Sequence, residues 1–311
     1  MNDDASVWRK EKDFKKRNQH YVPQFWQREF KDANGKLYVR YSLSADPRNE
    51  RDPDRGKAIG ETTKNIFTDD YTYTVSNDLF QPHDVLENLL SAAEGQMKQS
   101  HDEVLNATTS ITPELRMAFC RSIALAACRL PHVMSLFQRR RKDMVFAFAE
   151  ITRMDRPAFD AKMKGFGVTL TNEEYELLKA RPDDDLIRTA LGFEDLSPQD
   201  PNFPMQDALT GVATFTRIFD LMDITILESS GSPFFIMGDT PVPDYELADG
   251  FSTPLTKSAT TQFGSLASGG QAFSRRSATP TEIAAINQEQ YNNSATHVIG
   301  PDPSYLDSLT S

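Results

Sequence analysis

The chain has 311 residues, 39% of them hydrophobic and 25% charged, a balance that belongs to globular proteins and excludes a wholly disordered chain. Its length allows one large domain or two smaller ones. A net charge of −11 argues against a broad basic surface for long nucleic acid, whose non-specific affinity comes mostly from Lys and Arg neutralising phosphates.

Residues 1–18 read as a flexible basic arm, with Arg9, Lys10, Lys12, Lys15, Lys16 and Arg17 close together. The arm lacks the apolar middle of a secretory signal, so a cytoplasmic location is the expectation. Val22 to Phe30 reads as a short helix with Pro23 in its first turn. Lys36 to Ser42 reads as a strand after an Asn34-Gly35 turn, and a charged loop near 45–60 shows no periodicity and is expected to be mobile. Phe67 to Val75 alternates Tyr71, Tyr73 and Val75 on one side, the pattern of a second strand.

The centre is helical. Asp84 to His101 carries Leu86, Leu89, Leu90, Ala93 and Met97 at helical spacing, and Thr112-Pro113-Glu114 is a start signal for the next helix. Leu115 to Leu130 is apolar on nearly every face and should lie in the core, with Pro131 ending or kinking it. No run approaches the ~20 uninterrupted apolar residues of a membrane span, because Arg129 and Pro131 break the densest stretch, Ile123 to Val133. Cys120 and Cys128 stand roughly 12 Å apart along one helix, too far for a disulfide, and read as small apolar fillers.

Further helices follow to about Thr152, over Pro157 to Lys164 and over Asn172 to Ala180, then a surface linker near 181–204 and a helix over Met205 to Met222. Ile224 to Glu228 and Pro233 to Met237, separated by Ser-Ser-Gly-Ser, suggest a hairpin. Thr260 to Leu266 reads as a strand, Pro280 to Asn292 as a helix with Thr281 near its start, and His297 to Ile299 as a last strand. The expected fold is α+β and helix-dominant, one large domain over 19–311 with a central helical core and a small, mostly antiparallel sheet.

Several segments together resemble a bacterial family. These are the opening Asn18-Gln19-His20-Tyr21-Val22-Pro23-Gln24-Phe25 running on to Arg28 and Phe30, the Glu87 to Glu94 helix, the Arg129-Leu130-Pro131 break, and Phe235 to Val242 with its Asp239-Thr240-Pro241. Pro254-Leu255 and the closing Ile286-Asn287 helix before Ala295 to Gly300 complete the pattern, which resembles the domain-of-unknown-function 4238 family over most of the chain. The sequence departs from it at Trp26-Gln27, where the family usually has an aromatic-leucine pair, and at Gly238, where serine is more usual. The resemblance implies a shared fold and no reaction.

Four residues stand out as a candidate polar site. His20, just before a helix, can serve as acid, base or metal ligand near neutral pH, or can simply fix the helix entry. Arg129 lies in an apolar stretch, so an anion should face it: an internal carboxylate, Glu94 or Asp239, or a ligand phosphate. Glu87, Glu94 and His101 share one helix ridge, but a spacing of seven residues spans roughly 10.5 Å, so only one of them reaches a given ion; Glu87 and His101 fit a solvated edge. Asp239 follows an apolar run and either carries chemistry at a strand end or caps its own turn.

The catalytic set drawn from these is His20, Arg129 and Asp239, with Glu94 and Asp239 as ligands of a magnesium or manganese ion. It describes a metal-dependent phosphodiester hydrolase, a small nuclease acting on nucleic acid or another phosphate-containing substrate. A non-enzymatic interaction or regulatory protein with a buried polar network, and a binding protein for a small anionic metabolite, are the alternatives. No dinucleotide fingerprint, phosphate loop, zinc helix or nucleophile elbow occurs.

Overall fold

The computed structural model describes residues 18–70, 75–76, 82–83, 85–133, 154–164, 169–180, 203–243 and 249–310. Asn18–His20 (β1) leads into the short helix Gln24–Arg28 (α1), with Pro23 at its N-cap. Leu37–Tyr41 (β2) follows the Asn34-Gly35 turn, where Gly35 takes a φ of 75°. Ile59–Glu61 (β3) pairs with β2, and Thr68–Asp70 (β4) pairs antiparallel with β1, setting His20 opposite Thr68. A two-stranded ribbon, Val75–Ser76 (β5) and Pro82–His83 (β6), precedes the long helix Val85–Asn106 (α2).

Between β2 and β3 the chain is folded on itself. The Asp46 carboxylate accepts from the backbone of Arg48 and Gly56 and from the Arg48 side chain, and Arg55 donates to the Leu43 carbonyl. The segment read from sequence as a mobile loop is therefore tied at several points.

Pro113–Cys128 (α3) begins as its start signal requires: the Thr112 side chain accepts from Leu115 N at 3.2 Å, with Pro113 at the first position. It ends at Arg129, and Pro131 opens a new helical segment rather than kinking the old one. Arg156–Lys164 (α4), Asn172–Ala180 (α5) and Phe203–Asp220 (α6) follow. The basic arm, the helix expected to reach Thr152 and the linker near 181–204 lie wholly or mostly outside the described residues.

Strands Ile224–Glu228 (β7), Met237–Gly238 (β8), Phe251–Thr256 (β9), Ala259–Phe263 (β10) and Phe273–Ser277 (β11) come next. Then follow helix Pro280–Asn293 (α7), strand His297–Gly300 (β12) and helix Pro303–Ser308 (α8). They build two four-stranded sheets, ordered β3-β2-β12-β8 and β11-β7-β10-β9. Pairing is antiparallel throughout both except between β11 and β7. The fold is α+β as expected, but with two sheets instead of one and only a modest excess of helix.

The expected hairpin does not form, because β7 and β8 belong to different sheets. Between them the Asn287 side chain takes over as a surrogate strand, its Oδ1 accepting from Ile236 N at 3.0 Å and its Nδ2 donating to the Phe234 carbonyl at 2.7 Å. Phe235 N donates to the Lys257 carbonyl. With its backbone groups satisfied from elsewhere, the segment has no need of β7.

The main core lies where α3 and α6 meet the second sheet. Phe119 from α3 and Phe219 from α6 pack on Phe251 and Phe263, with ring centroids 4.6 to 6.4 Å apart. Cys120 and Cys128 are buried in this region as free thiols, and burial pushes both up to about 12, so they are inert at neutral pH. Trp26 is fully buried and donates its indole N–H to the Pro254 carbonyl at 2.8 Å, which pins α1 to β9. That anchor fixes the helix beside which the candidate site lies.

Candidate functional site

Three of the four residues singled out in the sequence meet. His20, Glu94 and Arg129 line one cleft of about 330 Å³ together with Gln24, Phe25, Arg28, Ser91, Gly95 and Lys98. One wall is α1, pinned by Trp26. The other is α2, whose Ser91, Glu94, Gly95 and Lys98 fall on one face at helical spacing.

Arg129 is 1% exposed and its anion is internal: Nη1 donates to Glu94 Oε1 at 2.9 Å. Its Nη2 donates to the main-chain carbonyl of His20 at 2.6 Å. The guanidinium thus ties α2 to β1 and fixes the backbone from which the imidazole projects. Glu94 keeps 28% of its side chain exposed and so remains reachable from the cleft.

The His20 ring is oriented by the Thr63 carbonyl, 2.8 Å from Nε2. A carbonyl can only accept, so Nε2 carries the proton and the lone pair of the neutral ring resides on Nδ1. The Gln24 amide nitrogen lies beside the ring, 3.0 Å from Nε2 and 3.5 Å from Nδ1; its usable acceptor is Nδ1. Arg28 in turn donates to Gln24 Oε1 at 2.9 Å. Burial lowers the His20 pKa from its ordinary 6.5; the Thr63 bond and Glu94 oppose the shift, and Arg129 and Arg28 add to it. The imidazole is therefore neutral at pH 7.

Arg28 is exposed and makes no ion pair among the described residues. Lys98 is bound to Asp102 at 2.6 Å with both side chains about half exposed, a pair that water and ligands can open. Neither Arg28 nor Lys98 was singled out in the sequence. Their signal was there: Gln24 and Arg28, like Glu94 and Lys98, are four residues apart and so share a helix face.

Asp239 is not part of the cleft lining. Its carboxylate accepts from Ala295 N at 2.9 Å, from Thr296 N at 2.7 Å and from the Thr296 hydroxyl, so it caps the chain entering β12. Glu94 and Asp239 thus have different partners, and the described residues contain no group of three or more His, Cys, Asp or Glu placed to hold a metal ion.

His101 corrects another expectation. It is 3% exposed, not on a solvated edge, because Phe25 and Trp26 of α1 and Phe119 of α3 pack around its ring at 5.0 to 5.6 Å. Burial drops its pKa to about 4, so it is a neutral core residue. The side chain of Glu87 lies outside the described residues.

Among the described residues no helix is long and apolar enough to cross a membrane. Comparison with curated proteins and with solved structures finds no match. The model of a family described as protein of unknown function, DUF4238, matches residues 18–304, from the strand that carries His20 to the start of α8. With nearly its whole length matched, this chain belongs to the DUF4238 family.

Proposed function

We propose that the cleft between α1 and α2 binds a phosphate-bearing ligand and that His20 acts there as general base in phosphodiester hydrolysis. The observation that supports this is the meeting of a neutral, oriented imidazole with Arg28, Lys98 and the Arg129–Glu94 pair in one hollow of small-molecule size. Arg28 and Lys98 would neutralise the phosphate. Nδ1 of His20, released by the Gln24 amide as the ligand enters, would take the proton of the attacking water as its oxygen bonds to phosphorus, and the departing alkoxide would be protonated by solvent. Arg129, committed to Glu94 and to the His20 carbonyl, would position the base rather than grip the substrate.

A magnesium or manganese ion in this scheme would rest on Glu94 and on the ligand's own phosphate oxygens, since Asp239 is engaged at β12. The test is cleavage of bis(p-nitrophenyl) phosphate and of short DNA and RNA oligonucleotides with magnesium, with manganese and with EDTA. Turnover that disappears in His20→Ala and weakens in Lys98→Ala, with folding intact, is expected. Turnover unchanged in His20→Ala would reject the assignment of the base.

A second reading, binding without turnover, is favoured by the mutual satisfaction of Arg129 and Glu94, which is how a structural pair looks. It predicts thermal stabilisation by phosphate esters that remain intact after incubation.

A further inference from the structure

A larger hollow, about 730 Å³, lies between β2, the loop after it and the α7–β12 junction, and shares no lining residue with the first. Its polar wall consists of Arg40, Ser42, Ser44, Asn292, Ser294 and Thr296, with no carboxylate among the lining residues. The charge on that wall comes from Arg40. Its Nε donates to the Gly56 carbonyl at 2.9 Å, and its Nη1 to the Leu306 and Leu309 carbonyls at 2.7 and 2.6 Å. The guanidinium lies 5.1 Å from the Tyr291 ring centroid. Every one of these acceptors is neutral, and among the described residues no carboxylate pairs with Arg40. A half-buried cation without a counterion is a place for an anion.

The Thr296 hydroxyl has one proton and gives it to the Asp239 carboxylate, which can only accept. His297 Nδ1 lies 2.7 Å from the same hydroxyl and must therefore be its N–H donor. The relay leaves His297 Nε2 as a bare lone pair, and this atom is buried with no hydrogen-bond partner. His297 is 8% exposed and is itself a lining residue.

A cation paired with no carboxylate and a wall of hydroxyls call for one ligand with an acid group and several hydroxyls. We propose that this hollow is a second binding site, for a polyhydroxylated anion of the sugar-phosphate or sugar-acid class. The acid group sits on Arg40. The ligand hydroxyls replace water on Ser42, Ser44, Asn292 and Ser294.

The test is calorimetric titration of the full chain with glucose 6-phosphate, gluconate, glucose and inorganic phosphate. Saturable binding of either acid with a Kd of about 1 mM or tighter is expected, at least about tenfold stronger than glucose or phosphate alone. A preference for glucose 6-phosphate identifies phosphate as the acid, and a preference for gluconate identifies carboxylate. Ser44→Trp, an exposed position whose indole would fill the hollow, should abolish binding, and Lys98→Ala in the first cleft should leave it unchanged. Arg40→Gln should weaken it about tenfold or more; because Arg40 also holds the end of α8, circular dichroism checks that the variant folds, and Ser44→Trp decides if it does not. No saturable binding, equal binding of inorganic phosphate, or binding that survives Ser44→Trp or vanishes in Lys98→Ala would overturn the proposal.

Discussion

Arg129 holds the backbone of His20, not its ring: the 2.6 Å bond from Nη2 ends on the His20 carbonyl, while the imidazole is oriented from the other side by Thr63. The two residues differ in burial and charge within the same cleft, one fully buried and charged, the other half-buried and neutral.

That contrast makes the Arg129–Glu94 pair asymmetric. Glu94→Ala takes the carboxylate away from a buried guanidinium and should cost about 3 kcal/mol or more. Arg129→Met removes the buried charge, roughly keeps the volume and lets the partly exposed Glu94 rehydrate, so it should cost roughly 1 to 2 kcal/mol. Urea denaturation of the two variants gives the ranking, and a larger loss in Arg129→Met would contradict it.

The His20 titration can be read directly from its ring proton resonance. Its midpoint should lie below 6.5, because burial disfavours the charged ring. Removing the nearby cation in Arg28→Gln should raise the midpoint, and removing the nearby anion in Glu94→Gln should lower it. Any activity that uses neutral His20 should correspondingly rise with pH through a value below 6.5 and then level off. A midpoint that moves the other way in either variant would show that the cleft charges do not act on this ring.

His101 should make the protein acid-sensitive. The unfolded chain binds a proton on this ring below about 6.5, whereas the folded one resists protonation until about 4. The unfolded state therefore gains protons first, and stability present above 6.5 is lost as pH falls, by roughly 3 kcal/mol at pH 4 from this residue. Its Nε2 is buried without a hydrogen-bond partner, so His101→Phe removes a polar atom that nothing satisfies. The variant should hold its stability at pH 7 to within about 1 kcal/mol and lose less than the parent at pH 5. Urea midpoints at the two pH values decide it.

Gly238 has no room for a side chain. A Cβ there would overlap Ser294 Oγ and lie 2.8 Å from the Gln290 carbonyl oxygen. Gly238→Ser should therefore cost about 1 to 3 kcal/mol, even though serine is the more usual residue in the related sequences that this chain resembles. Adding Ser294→Ala removes the first overlap and leaves the second, so rescue should be partial. Full rescue in the double variant would mean that the α7 backbone yields.

The local pattern was legible where its cause is local. Thr112, followed by Pro113 and Glu114, marks the start of α3; at α7 the cap is Thr279 and not Thr281, with Thr279 and Glu282 each bonding the other's backbone. The strands β9 and β11 were missed: β9 contains Pro254, and β11 is a polar run, Ser274, Arg275 and Arg276, on the edge of its sheet. The candidate site was legible in part. The need of Arg129 for an anion follows from its apolar neighbours, but Arg28 and Lys98 look like any surface charges until two helices face each other.

By itself the sequence determined the caps, the helix faces, the inert cysteines and the demand for a partner opposite Arg129, because those depend on neighbours within a turn or two. Only the tertiary structure decided that this partner is Glu94, that Asp239 closes on Thr296 instead, and that β7 and β8 part company. Those choices rest on contacts 35, 57 and 51 positions apart in the chain, at Arg129–Glu94, Thr296–Asp239 and Asn287–Ile236. No local preference encodes such distant pairs; they are selected by which arrangement leaves fewest buried polar groups unpaired.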